Sequence, residues 1–369
     1  MNQLFRWDQM GLFLLALAAG ILPFAVPEVC AAALREGLAL CSGPLLLSLF
    51  PFLVVSRLLI QCPESDLLAL PFRLAAWGIG IRTPCAARVL CIGFLGGFAP
   101  AASAAAQAVR TGQLTAEEAD ALLPACICSG PSFVVLTVGQ SLLGSAELGV
   151  LLFASQITAN YLTAALLNRF AGVRSVKPES TAPASPAPPR LDEILADPAI
   201  TYCKLCGFIL FFRMLAAGAG ALLPAGAGTL CSILLEVCSG CDLASRTGRW
   251  GSLLCCAALS VQGLSVLLQV RTICPPEMTL RPLYRARMLH LPLSLALFYL
   301  LLPGGEADVF STLPARVLLM RRVPPDCALL VFAVCCMAAC TLRSGIRQVE
   351  QKQMARNAGG CCINSKTLL

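Results

Sequence analysis

From Ala121 to Gly139 the chain carries no charged residue, a run about as long as a helix needs to cross the hydrocarbon of a bilayer. In its middle stand Cys126-Ile127-Cys128-Ser129-Gly130-Pro131-Ser132-Phe133. Pro131 has no N–H and its ring meets the carbonyl four residues back, while Gly130 loosens the turn before it. A helix does not run on through such a sequence. Backbone groups freed at membrane depth must be satisfied by protein or by water in a cavity. The stretch therefore predicts a broken helix that faces something polar, and the rest of the chain reads as its frame.

That frame is a membrane protein. Hydrophobic residues make up 57% of the 369 and charged ones 13%, with a mean hydropathy of +0.79; a soluble domain carries roughly a quarter charged residues. The net charge of +7 is spread along the loops, with no basic run that points to nucleic acid. Charge of this kind marks cytoplasmic loops. Many of the 21 cysteines, Cys30, Cys41, Cys91, Cys255 and Cys335 among them, stand inside apolar runs, where a thiol behaves as a small hydrophobe. With a single histidine, and without zinc-finger spacing between the cysteines, no metal site is expected. No Walker loop is present, and the serines have no base beside them, so neither a cofactor nor a catalytic set is expected and the chain does not read as an enzyme.

Apolar runs of crossing length fall at about 10–34, 38–60, 84–109, 121–139 and 144–168, then at 198–222, 224–244, 250–270, 288–302 and 327–342. No small-residue cleavage site precedes the second run, so the first is expected to be an uncleaved helix. The fold class expected is all-α, a polytopic transmembrane helical protein with two gate-like repeat halves and broken or re-entrant helices. The parts are an N-terminal transmembrane helix (1–34), a first membrane half (35–169), a Pro-rich cytoplasmic linker (170–197) and a second half (198–302). A loop and last transmembrane helix (303–342) and a basic cytoplasmic tail (343–369) follow. Thr115-Ala-Glu-Glu118 reads as a helix N-terminus. The topology closes only if one run of the second half turns back, and the run around Ser239-Gly240 is the one expected to do so.

The halves share an outline. LLLSLFPFLVVSRL (45–58) and CGFILFFRML (206–215) are both Phe-containing apolar runs with an arginine near a final leucine. Each is followed by two breaks, at Gly96–Pro100 and Ser129–Ser132 in the first half and at Ser239–Asp242 and Gln262–Ser265 in the second. Paired interruptions in corresponding positions point to a transporter's binding site. The candidate site is therefore Ser129, Gly130, Pro131, Ser132, Ser239, Gly240, Gln262, Glu236 and Arg213. Freed N–H groups at half-helix N-termini suit an anion. Glu236 is an ionisable group in an apolar run, either a candidate coupling or gating carboxylate or a carboxylate at the end of a short helix, wetted by the interface. Arg213 suits bidentate carboxylate binding, although snorkelling to the headgroups is the commoner fate of such a residue. Gln262 and Gln269 share a helix face. Asp242 reads as the partner of Arg246 at i+4, and His290 as an interface residue at the start of a spanning run.

Gly96-Gly-Phe-Ala-Pro-Ala-Ala-Ser103, Leu114-Thr-Ala-Glu-Glu-Ala-Asp120, Cys128-Ser-Gly-Pro-Ser-Phe133, Leu235-Glu-Val-Cys-Ser-Gly240 and Leu259-Ser-Val-Gln-Gly-Leu-Ser265 resemble the signature of the YlbJ family of sporulation integral membrane proteins, which carry a nucleoside-recognition or gate domain. The likeness runs from about Ala33 to Leu302. It departs where the family's glycine-tyrosine-proline and glycine-alanine-lysine pattern stands here as Gly97-Phe98-Ala99-Pro100-Ala101-Ala102-Ser103, without the lysine. The resemblance implies carriage of dipicolinic acid from mother cell to forespore across the outer forespore membrane of a sporulating bacterium. The partners expected are then a small-molecule anion, the lipid bilayer and other sporulation membrane proteins, with no nucleic acid. A nucleoside or other small-solute transporter is the first alternative, and it would place aromatic and amide groups at the breaks instead of cations. A non-transporting scaffold of spore assembly is the second.

Overall fold

The computed structural model describes residues 2–61, 63–171 and 191–302. The loop, last transmembrane helix and tail expected over 303–369, and most of the linker, lie outside the described residues. Among the described residues every regular element is helical and no strand is present.

Four segments, Pro27–Leu47, Ala146–Ala171, Ile194–Leu222 and Gly248–Ile273, are long and apolar enough to cross a bilayer. Large apolar side chains stand open on the outer surface, with Phe24 88% and Phe170 81% exposed, as contact with lipid requires. The chain is an all-α membrane protein.

The first apolar run is divided where Pro27 starts a new helix: α1 spans Asn2–Ala25 and α2 Pro27–Ser42, proline being well placed at a first helical position. The helices α3 (Pro44–Gln61) and the short α4 (Leu70–Gly78) follow. Next, α5 (Pro84–Gly96) and α6 (Phe98–Arg110) pack along one another on either side of Gly97. At 13 residues each they are about 20 Å long, short of the roughly 30 Å of hydrocarbon. They form a hairpin, where composition alone reads as one crossing. The α7 helix (Ala116–Cys126) opens with the expected capping box, Thr115 Oγ1 accepting from the Glu118 N–H at 3.1 Å and Glu118 Oε2 from the Thr115 N–H at 3.2 Å. A break follows, then a π-helix over Ser132–Leu142 and the long α8 (Ala146–Ala171).

From α3 onward, and leaving out the short α4, the second series repeats this order. The α9 helix (Leu191–Leu222) begins inside the stretch read as linker. Then α10 (Ala225–Leu235) and α11 (Val237–Ser245) pack along one another about Glu236. At 11 and 9 residues, about 16 and 14 Å, neither reaches across a bilayer. The run around Ser239-Gly240 thus turns back, but its corner is Glu236. After it α12 (Gly251–Val261) and α13 (Gly263–Ile273) meet at Gln262, and α14 (Arg281–Leu301) closes the described chain. The halves of each broken helix, α7 with the π-helix and α12 with α13, make little contact with one another, whereas α8 and α14 pack together. Each series is therefore a long helix, a hairpin, a broken helix and a second long helix.

Candidate functional site

The two hairpin corners meet the two broken helices at close range. Gly97 has φ +79°, and a Cβ there would stand 2.6 Å from the backbone N of Gly130. Only glycine allows both the turn and the approach. In the second series Gly263 has φ +69°, and its Cβ would stand 3.0 Å from the Glu236 backbone N and from the Leu235 carbonyl carbon. Gln262 before it also takes the left-handed conformation, φ +65° and ψ −9°, which is uncommon outside glycine. Its side chain accounts for the position: Nε2 donates to the Leu259 carbonyl at 2.6 Å and, across to the other series, to Ser129 Oγ at 3.3 Å.

A hollow of about 60 Å³, open to water-sized molecules, lies where the corners and breaks converge. Its polar wall is Ser129, Ser132, Glu236 and Gln269; Phe98 and Phe133 stand beside it, and Leu45, Leu49 and Ile209 of α3 and α9 close it. Glu236 is 2% exposed. Its carboxylate accepts from the Cys238 N–H at 2.8 Å and the Ser239 N–H at 2.7 Å, so it caps α11 and lies in the positive end of that helix's dipole. Gln269 is 1% exposed; its Nε2 donates to Ser265 Oγ at 2.9 Å, and its Oε1 has no partner. Gln262 Oε1 is also unpartnered. Among the described residues of the wall, Gln269 Oε1 is the unpartnered acceptor, both Glu236 oxygens being held by the α11 N–H groups.

Of the residues singled out in the sequence, Ser129, Gly130, Ser132 and Glu236 line this hollow, and Gln262 touches it through Ser129. Ser239 gives its N–H to Glu236, Gly240 packs on Ile233 of α10, and Pro131 starts the π-helix without lining the space. Arg213 does not line the hollow, although it stands near enough to Glu236 and Cys238 for its charge to act on theirs. Its guanidinium pairs with Glu36 Oε2 at 2.7 Å, because α9 packs along α2. Asp242 pairs with Arg246 at 2.8 Å, as the i+4 spacing predicts. Among the described residues no three His, Cys, Asp or Glu side chains gather as metal ligands, and the cysteines are free thiols.

A second polar group lies behind the breaks, between α8, α12 and α14. His290 is 1% exposed, buried in protein where an interface position was expected, with Nε2 at 3.2 Å from the Gln156 carbonyl. Gln156 Nε2 donates to Ser260 Oγ at 3.0 Å, and Asn160 Nδ2 to the Ile127 carbonyl at 3.2 Å. Arg287 donates to Ser260 O and Ile127 O. Sequence reasoning missed this group because partners within it, Ile127 and Arg287, lie 160 residues apart. Its one local signal is Arg287, His290 and Ser294 at helical spacing on one face of α14. Comparison with protein-family models, with curated proteins and with solved structures finds no match to this chain.

Proposed function

We propose that the chain carries a small solute across the membrane, and that the solute docks in the hollow where hairpin corners and helix breaks converge. The observation that supports this is the convergence itself. Interrupted helices from both series leave backbone and polar side chains facing one shared hollow, which is the arrangement used by membrane carriers at the midplane. The hollow is smaller than the roughly 300–1,000 Å³ of ordinary ligand sites, so loading requires its wall to open.

The wall favours a flat, uncharged solute that bears hydrogen-bond donors, of nucleobase or nucleoside size. Gln269 Oε1 offers an unpartnered acceptor, Phe98 and Phe133 offer apolar faces, and among the described residues no cation lines the space. An uncompensated anion placed beside Glu236 meets like charge. A second reading keeps dipicolinic acid, in the outer forespore membrane that the family resemblance implies. In its favour, the α11 N–H groups now held by Glu236 are the kind of site a solute carboxylate takes, available once the Glu236 carboxylate is displaced.

Uptake of labelled uridine and labelled dipicolinate into vesicles containing the purified full chain separates the readings. Uridine uptake above that of empty vesicles, abolished by Gln269→Leu, supports the first. Dipicolinate uptake alone supports the second, as does restoration of spore dipicolinate by this gene in a deletion strain. Uptake of neither, with intact protein, points to a non-transporting role in the membrane.

A further inference from the structure

Arg287 is 8% exposed, and among the described residues it has no carboxylate within ion-pair distance. A buried guanidinium without counter-charge is strongly disfavoured. Its partners are instead two backbone carbonyls, Ser260 O at 3.3 Å and Ile127 O. Both belong to the interrupted helices. Ile127 is the residue at which α7 stops, with φ −81° and ψ 98°, and Ser260 lies in the last turn of α12 before Gln262 turns the chain. Each carbonyl has lost its helical donor to the break. Each also lies at the negative end of a helix dipole, worth about half an elementary charge, so the two ends together oppose one guanidinium.

We propose that Arg287 is a positioning residue that locks the two broken helices to each other, serving as the shared counter-charge of both half-helix C-termini. On the carrier reading, the two breaks then move as one body when the hollow opens; the lock itself stands independently of that reading. Arginine presents Nη1 to one carbonyl and Nη2 to the other, whereas lysine would have to draw both acceptors to a single nitrogen.

The chain carries its own reporters. Cys126 and Cys128 flank Ile127, and Cys255 and Cys256 lie on α12, all buried; Cys30 on α2 and Cys85 on α5 are buried away from the breaks. The test is peptide-resolved alkylation by N-ethylmaleimide of the full chain in membranes, for the wild type, Arg287→Met, Arg287→Lys and, as a surface control, Arg246→Met. In Arg287→Met, alkylation of the Cys126/Cys128 pair and of the Cys255/Cys256 pair rises together by about tenfold, as expected for loss of a charged hydrogen bond that holds a local opening shut. Arg287→Lys falls between, Arg246→Met is unchanged, and Cys30 and Cys85 stay protected in all. General loosening would expose all six thiols, and a one-sided role would expose one pair; either result overturns the lock, as does unchanged protection. Where Arg287→Met does not accumulate, Arg287→Lys carries the test, and wild-type rates in it overturn the proposal. Since the readout needs no solute, failure of the carrier reading leaves it intact.

Discussion

The Nε2 of Gln262 stands 3.3 Å from the Oγ of Ser129, joining the broken helix of one series to that of the other beside the hollow they share. Neither residue alone determines this contact. Gln262 reaches Ser129 because it occupies a left-handed position that Gly263, packed against the Glu236 corner, extends.

The corner at Gly97 is constrained twice over, by its φ and by the approach of Gly130. Gly112 has a similar φ of +69° but open space around it. Gly112→Ala is therefore expected to cost only the left-handed penalty, about 1–2 kcal/mol. Gly97→Ala adds a backbone clash and lowers the apparent Tm in detergent well beyond the Gly112→Ala value. Equal shifts in the two variants would count against the close packing of corner and break.

Glu236 is expected to act first as a cap. Glu236→Ala removes both acceptors from the α11 N-terminus and costs about 1–2 kcal/mol. Glu236→Gln keeps one good acceptor and costs less. Thermal unfolding in detergent ranks the two, and a Glu236→Ala protein as stable as the wild type would contradict the capping geometry.

Asp120, on α7, ties that helix to the start of α14: its carboxylate accepts from the Thr279 N–H at 2.8 Å, the Thr279 hydroxyl at 2.7 Å and the Leu280 N–H at 3.1 Å. Asp120→Ala strands the buried Leu280 N–H and frees Thr279, which is exposed and can turn to water, and is expected to cost about 1–2 kcal/mol. Hydrogen exchange should then rise at Thr279 and Leu280 before it rises at Ile233. Uniform exchange across α14 and α10 would show that the carboxylate is not the local anchor.

Much of this architecture is legible in the residues. Gly130-Pro131 and Gly96-Gly97 announce their breaks because each removes a donor or the steric bar to positive φ. The expected break at Ser239-Gly240 lies three residues from the true corner. There the chain turns on a residue whose own side chain caps the next helix, and an acidic residue in an apolar run reads equally as a site or as a helix-end carboxylate. Arg213 was grouped with the breaks because it is a cation in an apolar run, yet its partner, Glu36, lies 177 residues away and is set by the packing of α2 on α9. The π-helix has no composition that distinguishes it from an α-helix.

The account rests on the hollow being a place that water and solute reach. Cys238 lines it, and the direct measurement is its modification by a charged, membrane-impermeant methanethiosulfonate in sealed vesicles, read by peptide mass with lipid-soluble N-ethylmaleimide in parallel. The charged reagent is expected to modify Cys238, and the transported solute to slow that modification. Modification by N-ethylmaleimide alone, with the charged reagent excluded under every condition, would place Cys238 against lipid or sealed packing and contradict a path for solute at this point.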